Sequence, residues 1–461
     1  MQVTDLQGAG LYIPYDRLNP STITEAKYRL LDTILALIGG ALSVPKDELK
    51  SLLTVTNGVP EIRPVYPAGL KTSLEMAGFL NAFILRNADW GDTYRLKSGI
   101  GGHPSDQIAA ILALCDDPVV SGRRVIELIH LAYQLYALLM EQMFVQLSSW
   151  DYTTALSLTI PVMSAMCFNA SPQRVQNALN LSAAGGAILR QVRTGDMTNL
   201  KSGASAYAIA RGLWCYRLSK AIQAPTSMFD GQNGWYRVIS ALKGELACLG
   251  EDATYAPVEV KSFPCFHVGQ APVECAISLH EQVIGRLERI RRIVIHVSRV
   301  DAPYIIRPNQ GQYPQSQAEA DHHIKYCLAT VLQYGSLTPL HYSPEYLQAG
   351  VTRRLIDLTE VQILTHDKAA TLGDHRGACI LEVSLDNGTT VQESCLRAEG
   401  AFDGLDTIER IKQIRKVVEN KRRMLEAASG LDLTPLARVV YELENHDGRT
   451  LLDNIQASLQ D

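Results

Sequence analysis

Two carboxylates (Asp89, Asp92), a hydroxyl (Thr93) and an imidazole (His103) stand within seventeen residues in Asn87-Ala-Asp89-Trp-Gly-Asp92-Thr93 and Gly99-Ile-Gly101-Gly102-His103-Pro104-Ser105-Asp106. Asp89 and Thr93 are four apart, a spacing that puts two side chains on one face of a helix end. Glycines let backbone approach a ligand closely, and this loop is expected to swing His103 in beside that helix end. An imidazole titrates near neutrality when unperturbed, which suits proton transfer. Asp92 reads as a structural capping group. The gap between Thr93 and His103, which holds Lys97, is where substrate preference is expected to be written.

Three further segments carry chemistry. In Arg190-Gln-Val-Arg193-Thr-Gly-Asp196-Met-Thr-Asn-Leu-Lys201, a turn-rich stretch delivers Lys201 to the start of an apolar helix. The helix dipole disfavours a cation there. Lys201 is therefore read as held for function, as a carboxylate binder or a base. Arg190 and Arg193 can clamp carboxylates bidentately. Ser262-Phe-Pro264-Cys265-Phe266-His267-Val-Gly-Gln270 lies where helical sequence gives way to mixed sequence, and clefts between domains are preferred ligand sites. In Asp321-His322-His323-Ile-Lys325-Tyr326 the adjacent histidines point roughly 100° apart on a helix, so one metal ion does not suit both. Tyr326 follows His322 by four and shares its face, from which its hydroxyl could reach the cleft.

The elements that must position these groups follow from hydrophobic period. Apolar residues at helical spacing predict helices over 22–42, 73–86, 106–114, 123–146, 151–168, 171–184 and 202–222. Ser171-Pro172 is a capping residue before a first-turn proline. These helices are apolar on much of their circumference, as expected of a bundle partly buried at a dimer interface. The pattern changes near 257. Strands are expected at 258–263, 289–300, 361–365, 379–385 and 390–395, with Asp386-Asn387-Gly388-Thr389 as a hairpin turn. Helices are expected at 271–284 and 318–333, and again from Leu405 to the end. Arg410, Lys412, Arg415, Lys416, Lys421, Arg422 and Arg423 read as a solvated helix face. The fold class is mainly α: a large all-helical domain (1–266 and 396–461) and a smaller α+β domain (267–395).

Composition narrows the function class. With 43 Lys and Arg against 48 Asp and Glu, no basic excess exists for nucleic acid. The nine cysteines include no C-x-x-C pair, which predicts reduced buried thiols and no zinc or iron–sulfur site. No apolar h-region or Arg-rich leader stands at the start and no stretch of about 18 apolar residues is present. A cytoplasmic protein without membrane association is expected.

The four segments, in this order, resemble the MmgE/PrpD family. The residues that carry the resemblance are Leu31-Asp32-Thr33, Asp89-x-x-Asp92-Thr93, Gly102-His103-Pro104-Ser105, Lys201-Ser-x-x-Ser-Ala-Tyr-Ala-x-Ala-x-Gly212, Ser262-Phe-Pro264 and Asp321-His-x-Ile-x-Tyr326. The resemblance covers nearly the whole chain. It implies that the α+β domain is a lid over the helical one. It also implies a homodimer with no metal or organic cofactor, and a hydro-lyase that eliminates water from a 2-methylcitrate-like or alkylcitrate tricarboxylate. Asp89, Thr93, His103, Lys201 and Tyr326 match the family's pocket residues. By the same resemblance His103 moves the proton, oriented by Asp89, while Lys201 and Arg193 neutralise carboxylates. Thr93 holds a carboxylate or the hydroxyl, and Tyr326 is a candidate acid. Tyr152 stands where family members usually carry a His, Gln270 where the decarboxylases carry one, and Gly91 where a polar residue is usual. Tyr152, His267 and Gln270 are expected to touch substrate, and with Arg193 the pattern looks more like the 2-methylcitrate dehydratase branch. A cis-aconitate-type decarboxylase or an epimerase in the same pocket, or an inactive binding homologue, are the alternatives.

Overall fold

The apolar periodicity of the sequence is converted into buried helices around one large core. A computed structural model describes residues 12–55, 59–96, 99–142, 150–194, 197–239, 250–306, 312–368, 373 and 375–460. Helix α1 (Pro20–Ser43) buries Leu30, Leu31, Ile34, Leu35, Leu37 and Ile38 on one face and Arg29, Asp32, Ala36, Gly39 and Gly40 on the other. It is packed on all sides, with its apolar stripe against the core. After α2 (Lys46–Val55), α3 (Leu74–Asn87) starts where Ser73 accepts the Met76 amide at 3.4 Å. Then come the short strands β1 (Thr93–Leu96) and β2 (Gly99–Ile100). Five helices follow: α4 (Asp106–Leu114), α5 (Gly122–Gln142), α6 (Thr153–Cys167), α7 (Pro172–Ala183) and α8 (Leu200–Leu218). Ser171 caps α7 as expected, accepting the Arg174 amide. Helix α8 packs against both α3 and α6, which draws the ends of all three toward one place.

A second core is built from α9 (Gln270–Val283), strands β4 (Ile290–Val297), β5 (Thr359–Ile363), β6 (Cys379–Leu385) and β7 (Thr390–Cys395), and the intervening helices α10 (Ile324–Tyr334) and α11 (Gly350–Asp357). The strand order is β5-β4-β6-β7, with β4 and β5 parallel and the other pairs antiparallel. The β6–β7 turn falls where Asn387-Gly388 places it, with Gly388 at φ +83°, a conformation that favours glycine. The chain then returns to the first core through α12 (Thr407–Ser429), α13 (Thr434–Tyr441) and α14 (Gly448–Ala457).

The structure corrects the sequence reading in three places. The large helical part is not all-helical, since β3 (Val258–Glu259) joins β1 and β2 in a small antiparallel sheet of order β2-β1-β3. The helix expected over 318–333 is broken. A single turn (Gln317–Ala320) stops before α10, and the non-helical corner at Asp321–His323 is what aims those side chains. The basic face of α12 is not uniformly solvated either. Arg410 is buried against Glu25 at 2.9 Å, and Lys421 is buried between Asp32 and the Trp90 carbonyl. Among the described cysteines all are free thiols, buried except for the partly exposed Cys395; Lys97 and Cys248 lie outside the described residues. No single described helix is long and apolar enough to cross a membrane.

Lys421 ties α12 to α1 and to the turn that carries Asp89. Removing one partner of a buried pair strands the other charge at a cost of about 3–5 kcal/mol. Lys421→Ala is expected to lower unfolding free energy by that amount in denaturant titration. A loss below about 1 kcal/mol would show that the pair is not desolvated as described.

Candidate active site

The turn after α3 is strained, and it holds a buried carboxylate among cations. Asp89 lies beyond the helix end with φ +44°, a left-handed conformation uncommon for a residue with a Cβ. Asp89 and Thr93 therefore do not share a helix face, since Thr93 opens strand β1. The turn is held from both sides. Arg86 Nη2 donates to Asp89 Oδ1 at 2.7 Å, and Lys261 Nζ donates to the Asp89 carbonyl at 2.8 Å and lies 3.2 Å from Oδ1. Burial works against a charge on Asp89, but Lys261 and Arg86, with Lys201 and His322, outweigh it and hold the carboxyl well below its ordinary 3.8. Asp89 is thus a fixed anion and not a proton acceptor.

His103 is oriented by a backbone group rather than by Asp89. Its Nδ1 makes a short hydrogen bond with the carbonyl of Asp92. A carbonyl only accepts, so Nδ1 carries the proton and Nε2 is the basic nitrogen. Asp92 is itself fixed: Tyr133 donates to Oδ2 at 2.6 Å, the Ser105 amide donates to Oδ1 at 3.0 Å, and Arg29 Nη1 lies 3.6 Å away. Burial first, then the charges of Arg86 and Lys261, push His103 well below its ordinary 6.5, against Asp89 and the Asp92 carbonyl. The imidazole is neutral at physiological pH and does not swing, because the loop behind it is bonded to β1 (Tyr94 amide to Gly102 carbonyl, 2.7 Å). Gly102 adopts φ +90°, and a Cβ there would collide with the Tyr152 ring and the Tyr136 hydroxyl. That close approach seats Tyr152 edge-on to His103, with ring centroids 5.3 Å apart.

Lys201, the second residue of α8, is 2% exposed and lies 2.6 and 2.7 Å from the two oxygens of Asp321. It binds a carboxylate, as the sequence suggested, but one of the protein's own. His322 completes the group. Its Nδ1 contacts Asp321, lies 3.3 Å from Lys201 and 3.9 Å from Asp89, and its ring stacks on Phe266. Burial and Lys201 bring His322 down to about 4 despite Asp321. Ligand atoms of Asp89, Asp321 and His322 fall within 4.8 Å of one another. The Lys201 ammonium sits against both Asp321 oxygens, where a metal ion would have to bind.

On the opposite side Arg193 donates to Asp151 at 2.7 Å and lies over the Tyr152 ring at 4.5 Å. Asp106, at the start of α4, accepts from Ser205 at 2.6 Å and lies 3.8 Å from Arg86. Burial lifts Asp106 to about 6, against the pull of Arg86 and Ser205. Several buried atoms here have no hydrogen-bond partner among the described residues: Arg86 Nε and Nη1, Arg193 Nη2, Tyr152 Oη and Thr93 Oγ1. Buried donors without acceptors are costly, by about 1–3 kcal/mol each, and such donors beside a neutral histidine can receive the oxygens of an anionic ligand.

Of the residues singled out in the sequence, Asp89, His103, Tyr152, Lys201 and Arg193 are linked through this network. Thr93 pairs across the small sheet with Glu259, which lies 2.9 Å from His267 Nε2 and thereby draws His267 to the same edge. Two expectations fail. The Tyr326 hydroxyl donates to the His341 carbonyl, and its ring packs on Tyr342 inside the second core. Gln270 is consumed by its own loop, bonding the Phe263 amide and carbonyl at 3.0 Å and the Cys265 carbonyl at 3.2 Å. Both ends of its amide serve to shape the Ser-Phe-Pro turn. Sequence reasoning missed Arg86, Lys261 and Asp106. Lys261 had a signal, a charge inside the alternating stretch Val258-Glu-Val260-Lys-Ser-Phe263, where an inward lysine requires a partner.

Comparison with known proteins agrees with this constellation. Residues 11–244 match the MmgE/PrpD N-terminal domain, and residues 263–429 match the MmgE/PrpD C-terminal domain. The chain is 25% identical to a 2-methylcitrate dehydratase of Salmonella typhi over 65% of its own length and 64% of the relative's, so that match spans under two thirds of the relative. It is 25% identical to a 2-methylcitrate dehydratase of Escherichia coli strain K12 over 76% of this chain and 74% of that one. It is also 22% identical to the 2-methylcitrate dehydratase-like protein oryR of Aspergillus oryzae, over 82% and 81% of the two chains. With both halves matched and the site assembled across them, the chain belongs to the MmgE/PrpD family, near its 2-methylcitrate dehydratase branch.

Proposed function

We propose that this protein is a hydro-lyase that removes water from a citrate-like tricarboxylate, 2-methylcitrate or a congener with a longer alkyl group. The observation that carries the reading is His103 bonded through Nδ1 to the Asp92 carbonyl, which leaves Nε2 as its basic nitrogen, fixed among buried cations. Elimination requires loss of a weakly acidic proton next to a carboxylate, so it needs a base near neutral pH and positive charge where the carbanion develops. His103 Nε2 is that base. Arg86 and Arg193, with uncommitted buried donors, hold carboxylates of the substrate. Lys261 and Lys201 add positive charge and are kept in place by Asp89 and Asp321. No metal or organic cofactor enters the scheme.

The finer organisation follows from the same reading. The α+β unit over 267–395 acts as a lid on the helical part, and its opening admits substrate. The protein works as a cytoplasmic homodimer. Leu200, Tyr207 and Trp214 of α8 are 51%, 67% and 49% exposed at steps of seven, an apolar stripe on a largely buried helix that also exposes Arg217, and such stripes mark partner surfaces. Sedimentation at the mass of one chain would contradict the dimer.

The reaction is tested by incubating the protein with citrate, 2-methylcitrate, a longer alkylcitrate and cis-aconitate in deuterated water, followed by NMR. Water loss from 2-methylcitrate or the alkylcitrate, with exchange of the α-proton, is the expected result. Loss of CO₂, or inversion without elimination, would assign the pocket to a different lyase or an epimerase, and no change at all would mark a binding protein. His103→Gln is expected to stay folded and lose at least about 100-fold in turnover. Lys201→Ala is a poor probe of catalysis, because it strands the buried Asp321 carboxylate.

A further inference from the structure

Elimination of water needs a proton for the departing hydroxide, and Tyr326, the expected donor, is tied to the His341 carbonyl. The buried tyrosines nearer His103 are committed as well. Tyr133 donates to Asp92, Tyr136 to the Gly101 carbonyl, and Tyr94 to Glu141. Tyr152 differs. Its hydroxyl is buried and has no hydrogen-bond partner among the described residues. Its ring stands edge-on to His103, and the Arg193 guanidinium lies over its face. The charged groups that bear on it are Arg193, Arg86, Asp106 and Asp151. The hydroxyls of Thr93, Ser105 and Ser262 are also unpartnered, but an aliphatic alcohol is a weaker acid than a phenol.

We propose that Tyr152 is the catalytic acid of this site, giving its phenolic proton to the hydroxide that leaves. The proposal rests on the dehydratase reading. In the step, His103 Nε2 takes the proton from the carbon beside the carboxylate, and the C–H electron pair becomes the new C=C bond. The C–O bond breaks with its pair on oxygen, and the Tyr152 O–H proton joins that oxygen to release water. An imidazolium and a phenolate are left as ring neighbours. Proton return from His103 to Tyr152, through the released water, restores both groups without any further reactant. Burial raises the Tyr152 phenol above its ordinary range and keeps it protonated at rest. Arg193 and Arg86 act in the other direction and stabilise the transient phenolate.

Tyr152→Phe keeps the ring that packs on Gly102 and beneath Arg193 and removes only the oxygen. The variant and the natural protein are compared in deuterated water on 2-methylcitrate and on its analogue with fluoride in place of the hydroxyl. Fluoride leaves without a proton. Tyr152→Phe should lose water elimination by at least about 100-fold, keep α-proton exchange within a few-fold, and still expel fluoride at nearly the natural rate. Water loss at the natural rate would overturn the assignment. So would parallel loss of exchange, fluoride release and water release, which would show that Tyr152 only supports the pocket. If the natural protein neither exchanges nor eliminates on either compound, the dehydratase reading fails first and the assignment falls with it.

Discussion

The site depends on the two ends of Asp92. Its carbonyl receives the proton of His103 Nδ1, and its carboxylate is gripped by Tyr133, the Ser105 amide and Arg29. The first contact decides which imidazole nitrogen is basic, and the second decides where that nitrogen points. Behind Arg29 stands Glu25, and behind Glu25 stands Arg410 of α12. A residue late in the chain thus helps to hold the turn that aims the catalytic base. A side-chain carboxylate on Nδ1 would raise the basicity of the ring and favour the imidazolium. A neutral carbonyl fixes the tautomer with a weaker pull, and the neighbouring cations keep the ring unprotonated.

Around His103 the protein pairs nearly every charge it buries. Asp89 with Arg86 and Lys261, Asp321 with Lys201, and Asp151 with Arg193 are all in contact. Isolated buried ions are prohibitively costly, and paired ones roughly balance desolvation against attraction. This explains how so much charge can sit beneath a helical core. It also assigns a division of labour. The lysines are spoken for by carboxylates and supply field, whereas the arginines have more donors than any one carboxylate can use and keep some for a ligand.

Much of the architecture was legible in the sequence because it follows from period alone. Helices α4 and α7 and strands β6 and β7 begin and end where apolar spacing, Ser171-Pro172 and Asn387-Gly388 place them. The small β1–β3 sheet was not legible, since pairing over two residues leaves no period to read. The corner at Asp321–His323 was overrun by the helical pattern on both sides. Arg410 and Lys421 look like any other charges on α12, because only the tertiary approach of α1 distinguishes a buried partner from solvent. The site was legible as residue types in order, but its roles were not. Tyr326 and Gln270 have suitable chemistry and spend it on the His341 carbonyl and the Phe263–Cys265 loop. Tyr152, expected only to touch substrate, keeps its hydroxyl uncommitted among the described residues.

The central claim is that His103 is a neutral base whose free nitrogen is Nε2. Nitrogen-15 NMR of the histidine-labelled protein, with His103 assigned by its loss in His103→Gln, tests it directly. Because the folded environment lowers the affinity of the ring for a proton, His103 should remain neutral as the pH falls through its ordinary 6.5. Nδ1 should carry the proton and Nε2 should show the shift of an unprotonated ring nitrogen. An imidazolium half-formed at or above pH 6.5, or a proton on Nε2 at neutral pH, would contradict the account.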